Sequence, residues 1–159
     1  MPGLSIKDVL KVAIQMEEDG KTFYQYAAAI VKDDNVKQVM SALADEEIMH
    51  RHVFEDMLNA APDDIVIADD KSSYFEFLKN HMDSRSVFDR KKFEEEEDRV
   101  KSIETAINFA IDREMEAVVY YTGILNLVKE QHEALVQKII GEESTHFMKL
   151  SKAKGMLSK

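Results

Sequence analysis

Apolar residues recur along this chain at alternating intervals of four and three, the spacing that keeps side chains on one stripe of an α-helix. The first run is Ile6, Leu10, Ala13, Glu17, Gly20, Tyr24, Ala27 and Val31. Ser5 and Asp8 precede it at capping-box spacing, with Leu4 and Val9 placed as a hydrophobic staple. A helix over residues 6–32 is predicted, closed by a turn at Lys32-Asp33-Asp34-Asn35. The second run is Val36, Met40, Leu43, Glu47, His50, Phe54 and Met57, which predicts a helix over 35–60 with Asn35 as its N-cap. Pro62 disfavours helical geometry at the residue before it and ends this helix. A third run, Ile103, Ile107, Ala110, Glu114, Ala117, Tyr121, Ile124 and Val128, predicts a helix over 102–129. The fourth, Val136, Ile139, Glu143, His146, Leu150, Ala153 and Leu157, predicts one over 132–157.

Between the second and third runs, residues 61–101 have poorer periodicity, and they hold Phe75, Phe77, Phe88, Phe93 and an acidic stretch from Glu94 to Asp98. A short helix near 73–80 is expected there. The aromatics are expected to cover one side of the helices, with a dimer contact or a lid as the sharper reading. The third run repeats the first: Ala13-Ile14 and Glu17 align with Ala110-Ile111 and Glu114, and Phe23-Tyr24 with Tyr120-Tyr121. The fourth repeats the second, so the chain reads as two related helix pairs in one all-α domain spanning 1–159. If a pseudo-two-fold axis relates the pairs, the second and third helices run parallel and need a long crossover. A helix of about 25 residues rises about 38 Å, which a connection of roughly 40 residues retraces easily.

Each stripe is interrupted by ionisable residues near mid-helix. Glu17 and Glu114 stand alone, whereas Glu47 and Glu143 are each followed three residues later by a histidine, His50 and His146. Residues three apart share a helix face, so each pair can present a carboxylate and an imidazole to one point. Four carboxylates in an empty, low-dielectric core would repel one another and some would have to take up protons. Two divalent cations would balance them, with glutamates chelating or bridging and one histidine on each ion.

Composition narrows the chemistry further. The absence of cysteine removes thiolate zinc sites, iron–sulfur clusters and thiol nucleophiles. A formal charge of −10 argues against nucleic acid and anionic membranes as partners. Without a basic-then-apolar start or an apolar run of spanning length, a soluble cytoplasmic protein is expected. The adjacent Glu18, Glu46, Glu116 and Glu142 fall off the stripes and are expected to be solvated, so that replacing Glu46 or Glu142 leaves the centre intact. His52, His81 and His132 are given no role, and the methionines are read as core filler.

A glutamate from each of two helices with Glu-x-x-His from each of the other two is the carboxylate arrangement of di-iron and di-manganese four-helix bundles. The stretches Glu17-Glu-Asp-Gly20-Lys-Thr-Phe23-Tyr24 and Ala44-Asp-Glu-Glu47-Ile-Met-His50 resemble the rubrerythrin-related, ferritin-like di-iron proteins, over about residues 5–157. The resemblance implies a ferritin-like four-helix bundle holding two iron ions, with manganese and zinc as alternatives. It further implies bridging by Glu47 and Glu143, terminal carboxylates from Glu17 and Glu114, and one nitrogen each from His50 and His146. Tyr24 and Tyr121 resemble the tyrosines that buttress such ligands, and protonation of departing oxygen through them is a conjecture of the same kind. Ala117 stands where rubrerythrins often carry a further glutamate, which leaves a six-ligand set closer to that of bacterioferritin. With no cysteine-rich rubredoxin domain, a separate electron-donor protein is implied.

The function expected is therefore an oxidoreductase that reduces hydrogen peroxide or dioxygen, as a homodimer. Two rivals stand beside it. A ferroxidase that hands iron to a store would need a closed multi-subunit shell, which sedimentation separates from a dimer. A helical interaction module with a structural metal would be redox-inactive and would lose melting temperature on chelation.

Overall fold

The computed structural model describes residues 4–61, 66–67, 76, 80, 103–126, 128 and 130–157. Four long helices make up nearly all of it: α1 (Ile6–Ile30), α2 (Asp34–Ala60), α3 (Ile103–Leu125) and α4 (Glu130–Leu157). A two-residue strand β1 (Leu4–Ser5) pairs antiparallel with β2 (Val66–Ile67). Among the described residues no helix is long and apolar enough to cross a membrane.

The predicted ends hold with local corrections. The Ser5 hydroxyl accepts from the Asp8 amide at 3.1 Å while the Asp8 carboxylate accepts from the Ser5 amide at 3.1 Å, so the capping box is reciprocal. The side chain of Leu4, and with it the staple, lies outside the described residues. α2 is capped by Asp33 and not by Asn35, because the Asp33 carboxylate reaches the amides of both Asn35 and Val36, at 2.9 and 3.1 Å. α1 stops two residues earlier than predicted, where Val31 turns extended. α3 stops at Leu125, where the Asn126 amide bonds back to the Gly123 carbonyl in a turn. Of the expected crossover over 61–101 only residues 61, 66–67, 76 and 80 are described, the last two helical; its four phenylalanines, His81 and most of the helix expected near 73–80 lie outside the described residues.

α1 packs against α2, and α3 against α4, as two antiparallel hairpins. Contacts between the hairpins are also antiparallel: Val9 early on α1 meets Tyr120 late on α3, and Glu46 meets His146 while His50, further along α2, meets Glu142, earlier on α4. Because α1 runs opposite to both α2 and α3, those two helices are parallel, as the repeat requires. The chain is an all-α, ferritin-like four-helix bundle.

The stripes fill its interior in two apolar layers. One holds Phe23, Tyr24, Val36, Met40, Leu43, Ile107 and Leu150. The other holds Leu10, Phe54, Tyr120, Tyr121, Ile124, Val136 and Ile139. Between them lie Glu17, Glu47, His50, Arg113, Glu114, Glu143 and His146, each at most 4% exposed. Met16, Met40 and Met57 are core residues as expected, but Met49, Met115, Met148 and Met156 are exposed.

Candidate metal centre

Helix phase brings all six predicted ligands to one place. Glu17, Glu47, His50 and Glu143 form one group and Glu47, Glu114, Glu143 and His146 a second, with the donor atoms of each group within 4.8 Å of one another. His50 Nδ1 lies 2.7 Å from Glu143 Oε1, 3.5 Å from Glu17 Oε2 and 4.0 Å from Glu47 Oε2. His146 Nδ1 lies 3.4 Å from Glu143 Oε2, 3.6 Å from Glu114 Oε2 and 3.7 Å from Glu47 Oε1. Bonds of about 2.1 Å to one ion put two donors about 3 Å apart at right angles and about 4 Å apart when opposite, so most of these separations suit a shared cation.

The hydrogen-bond inventory tests the fit more sharply. Eight buried atoms of the four glutamates and two histidines have no aligned hydrogen-bond partner: Glu17 Oε2, both oxygens of Glu47, His50 Nδ1, Glu114 Oε2, both oxygens of Glu143 and His146 Nδ1. Such atoms are rare in a folded core, and here they all converge. The remaining oxygens of Glu17 and Glu114 are occupied, since the Tyr121 hydroxyl donates to Glu17 Oε1 and the Tyr24 hydroxyl to Glu114 Oε1. Glu17 and Glu114 thus keep one open oxygen each, as terminal ligands do. Glu47 and Glu143 keep two and belong to both groups, as bridging requires. The donor set, oxygens with two imidazole nitrogens and no sulfur, suits iron, manganese or zinc.

Glu46 and Glu142 are not simply solvated. The Nε2 of His146 lies 2.6 Å from Glu46 Oε2, and the Nε2 of His50 lies 2.7 Å from Glu142 Oε2. The α2–α4 packing is close enough for each outer glutamate to reach across to the other helix's histidine. Lys149 pairs with Glu46 at 3.1 Å and Lys138 with Glu142 at 3.7 Å. A carboxylate on Nε2 leaves Nδ1 for a metal and raises the basicity of the ring. The expectation that Glu46 and Glu142 are solvated is therefore corrected: each pairs with the opposite helix's histidine. Glu18 also has partners, Lys21 and Arg51, whereas Glu116 is exposed as predicted. His52 is exposed and His132 lies at the surface beside Gln131, both away from the centre.

Two participants escaped the sequence reading. Arg113 is buried beside the ligands, with Nη2 donating to the Met16 carbonyl at 2.9 Å and lying 3.8 Å from Glu47 Oε2. Gly20 makes its room: a Cβ there would fall 1.5 Å from Arg113 Nη2. The sequence signal was a glycine in mid-helix, which costs about 1 kcal/mol relative to alanine and so points to a close approach.

Without metal, the layer balances itself by proton position. Burial opposes charge on every group, but contacts with Glu143 and Glu17 push His50 up to about 11, and those with Glu114 and Glu143 push His146 up to about 10. Burial, then repulsion from Glu114 and Glu17, raises Glu143 to about 8; burial, then Glu17 and Glu143, holds Glu47 well above the carboxylate range. Glu17 stays low against burial through Glu47 and His50, and Glu114 is held at about 2 through Glu143 and His146.

Four glutamates and two histidines buried between the layers of a four-helix bundle form the donor set of a carboxylate-rich metal centre. Over residues 8–154 the chain matches the family model described as rubrerythrin, and it belongs to that family. A Thermotoga maritima protein described as ferritin-like and diiron-carboxylate shares the fold with a TM-score of 0.71 at 23% identity, covering 97% of both chains. A hypothetical protein from Pyrococcus furiosus does so with a TM-score of 0.68 at 20% identity, covering 97% of this chain and 90% of its own. Among curated proteins none matches the chain.

Proposed function

We propose that this chain is a dinuclear-iron oxidoreductase of the rubrerythrin type, which reduces hydrogen peroxide or dioxygen with electrons from a separate donor protein. Glu17, Glu47, His50, Glu114, Glu143 and His146 would hold the two ions. The observation that carries the reading is the convergence of eight donor atoms without aligned hydrogen bonds, in two adjoining groups buried between apolar layers. Two ferrous ions held there would supply two electrons, which with two protons reduce hydrogen peroxide to two waters.

The chain's own residues hold and shield. The Tyr24 and Tyr121 hydroxyls donate to one oxygen of Glu114 and of Glu17, so each of these carboxylates would have its other oxygen left to hold a metal. Burial, then the neighbouring glutamate, pushes both phenols well above their usual range. In the metal-free chain they therefore hold their protons and orient Glu114 and Glu17. Glu142 and Glu46 fix the imidazoles from the far side. The layers above and below exclude bulk water, so charge in the centre is weakly screened.

Elemental analysis after purification without added metal should find two iron ions per chain. Stopped-flow mixing of the reduced protein with peroxide and with dioxygen should show oxidation faster than that of free ferrous ion. Rates no faster with either oxidant would sink the proposal.

A further inference from the structure

The ligands of the centre follow the internal repeat, but their surroundings do not. At the position where α3 carries Arg113, the repeat places Met16 on α1. One half of the bundle therefore sets a permanent cation where the other sets a thioether. The cation is locked in place: its Nη2 is bonded to the Met16 carbonyl, its guanidinium carbon stands 5.8 Å from the centre of the Tyr24 ring, and Gly20 lies beneath it. Among the described residues, Glu47 has an arginine within 4 Å and its counterpart Glu143 has no arginine or lysine.

The two oxygens of Glu47 face different ways. Oε1 is the one 3.7 Å from His146 Nδ1, while Oε2 is 4.0 Å from His50 Nδ1 and 3.8 Å from Arg113 Nη2. A cation bound by the His50 group must share Oε2 with a guanidinium that cannot leave or lose its charge. A cation bound by the His146 group uses Oε1 of Glu47, and Arg113 acts on that half only through its charge on Glu114, without contact within 4 Å.

We propose that Arg113 is a positioning residue that makes the two halves of the centre unequal: its charge, 3.8 Å from Glu47 Oε2, weakens the half containing His50, so the half containing His146 holds its ion more tightly. This rests on the metal-centre reading above. It goes beyond that reading by giving the two ions different exchange behaviour. The more labile ion is then the one held by Glu17 and His50.

The test starts from the full chain loaded with two Zn2+, carrying ¹⁵N-labelled histidine, and withdraws metal with graded chelator while following the Nδ1 resonances of His50 and His146. In the wild type His50 should be released at a chelator activity about tenfold lower than His146, the scale of one nearby charge acting through a partly screened medium. Arg113→Met, which copies the residue the repeat already tolerates, should bring the two releases to within about twofold. Arg113→Gln should do the same should the methionine variant not fold, and Arg113→Lys, which keeps the charge, should preserve the order. A merely structural arginine would lower the melting temperature in these variants and leave the order of release unchanged. Release of both histidines together in the wild type, or an order unchanged in both neutral variants, overturns the proposal alone. Failure of Zn2+ to shift either histidine overturns the metal centre itself.

Discussion

Loading the metal-free protein with two divalent cations should displace protons in a number the buried layer defines. At pH 7 the imidazoles of His50 and His146, with pKa values of about 11 and about 10, each carry a proton. Glu143, at about 8, is mostly protonated, and burial, then Glu17 and Glu143, raises Glu47 well above the carboxylate range, so that it holds its proton too. Glu17 and Glu114 are already ionised. Two ions require both imidazoles neutral and all four carboxylates charged, so loading should release close to four protons, about two from histidine and about two from glutamate. Four incoming charges then replace four departing ones, and the charge of the layer stays the same with Arg113 as a constant cation. Calorimetric titration with Zn2+ in two buffers of different ionisation enthalpy reads the proton number directly. A release below about two would show that the metal-free layer is not balanced by imidazolium and neutral carboxyl groups, and would refute the charge argument whatever the affinity.

The same protons set the pH dependence of the metal-free fold. His50, His146 and Glu143 have raised pKa values in the folded state, so their stabilisation is present below the unfolded values and lost as pH rises. Each unmatched proton costs about 1.4 kcal/mol per pH unit. Melting temperatures of the metal-free protein should therefore fall from pH 6.5 towards 10 while the Zn2+-loaded protein stays flat, and a metal-free value rising over that range would contradict the assignment. Glu142→Gln or Glu46→Gln should lower metal affinity by about 10- to 100-fold through loss of the histidine's carboxylate partner, as measured by chelator competition; no change in either would return these residues to the solvated role. Gly20→Ala should destabilise by about 2 kcal/mol or more, because the gain in helix propensity is outweighed by displacing a buried guanidinium from the Met16 carbonyl. Urea unfolding measures it, and a stabilised variant would show that Arg113 relocates at no cost.

The helical period revealed the bundle, the parallel α2 and α3 and the six residues at its centre, because each stripe has one ionisable break at the same height and the chain states the pattern twice. What it missed depends on contacts between helices. Glu46 and Glu142 sit one residue off the stripe, and phase alone assigns that position to solvent. Only the closeness of α2 to α4 shows that the side chain reaches the opposite histidine. Arg113 likewise falls one residue before Glu114, and its burial depends on the missing side chain at Gly20. The N-cap of α2 was misplaced because Asp33, Asp34 and Asn35 are all capping types, and carboxylate geometry selects among them.

The supporting contacts follow one rule that neither the repeat nor the ligand list states. Glu17 on α1 is held by Tyr121 on α3, and Glu114 on α3 by Tyr24 on α1. His50 on α2 is held by Glu142 on α4, and His146 on α4 by Glu46 on α2. Every one of these four supports comes from the other helix hairpin. A single hairpin could bring its own Glu-x-x-His and its own lone glutamate together, but each of those ligands would lack the partner that orients it. The centre is thus complete only when the hairpins have docked. Docking leaves eight donor atoms of these ligands without aligned partners in the interior, a cost that binding of two ions would remove. Metal binding and hairpin association would then be linked through the same residues. The doubled glutamates at 46–47 and 142–143 make that possible, since one of each pair faces the shared centre and the other crosses to the opposite hairpin's histidine.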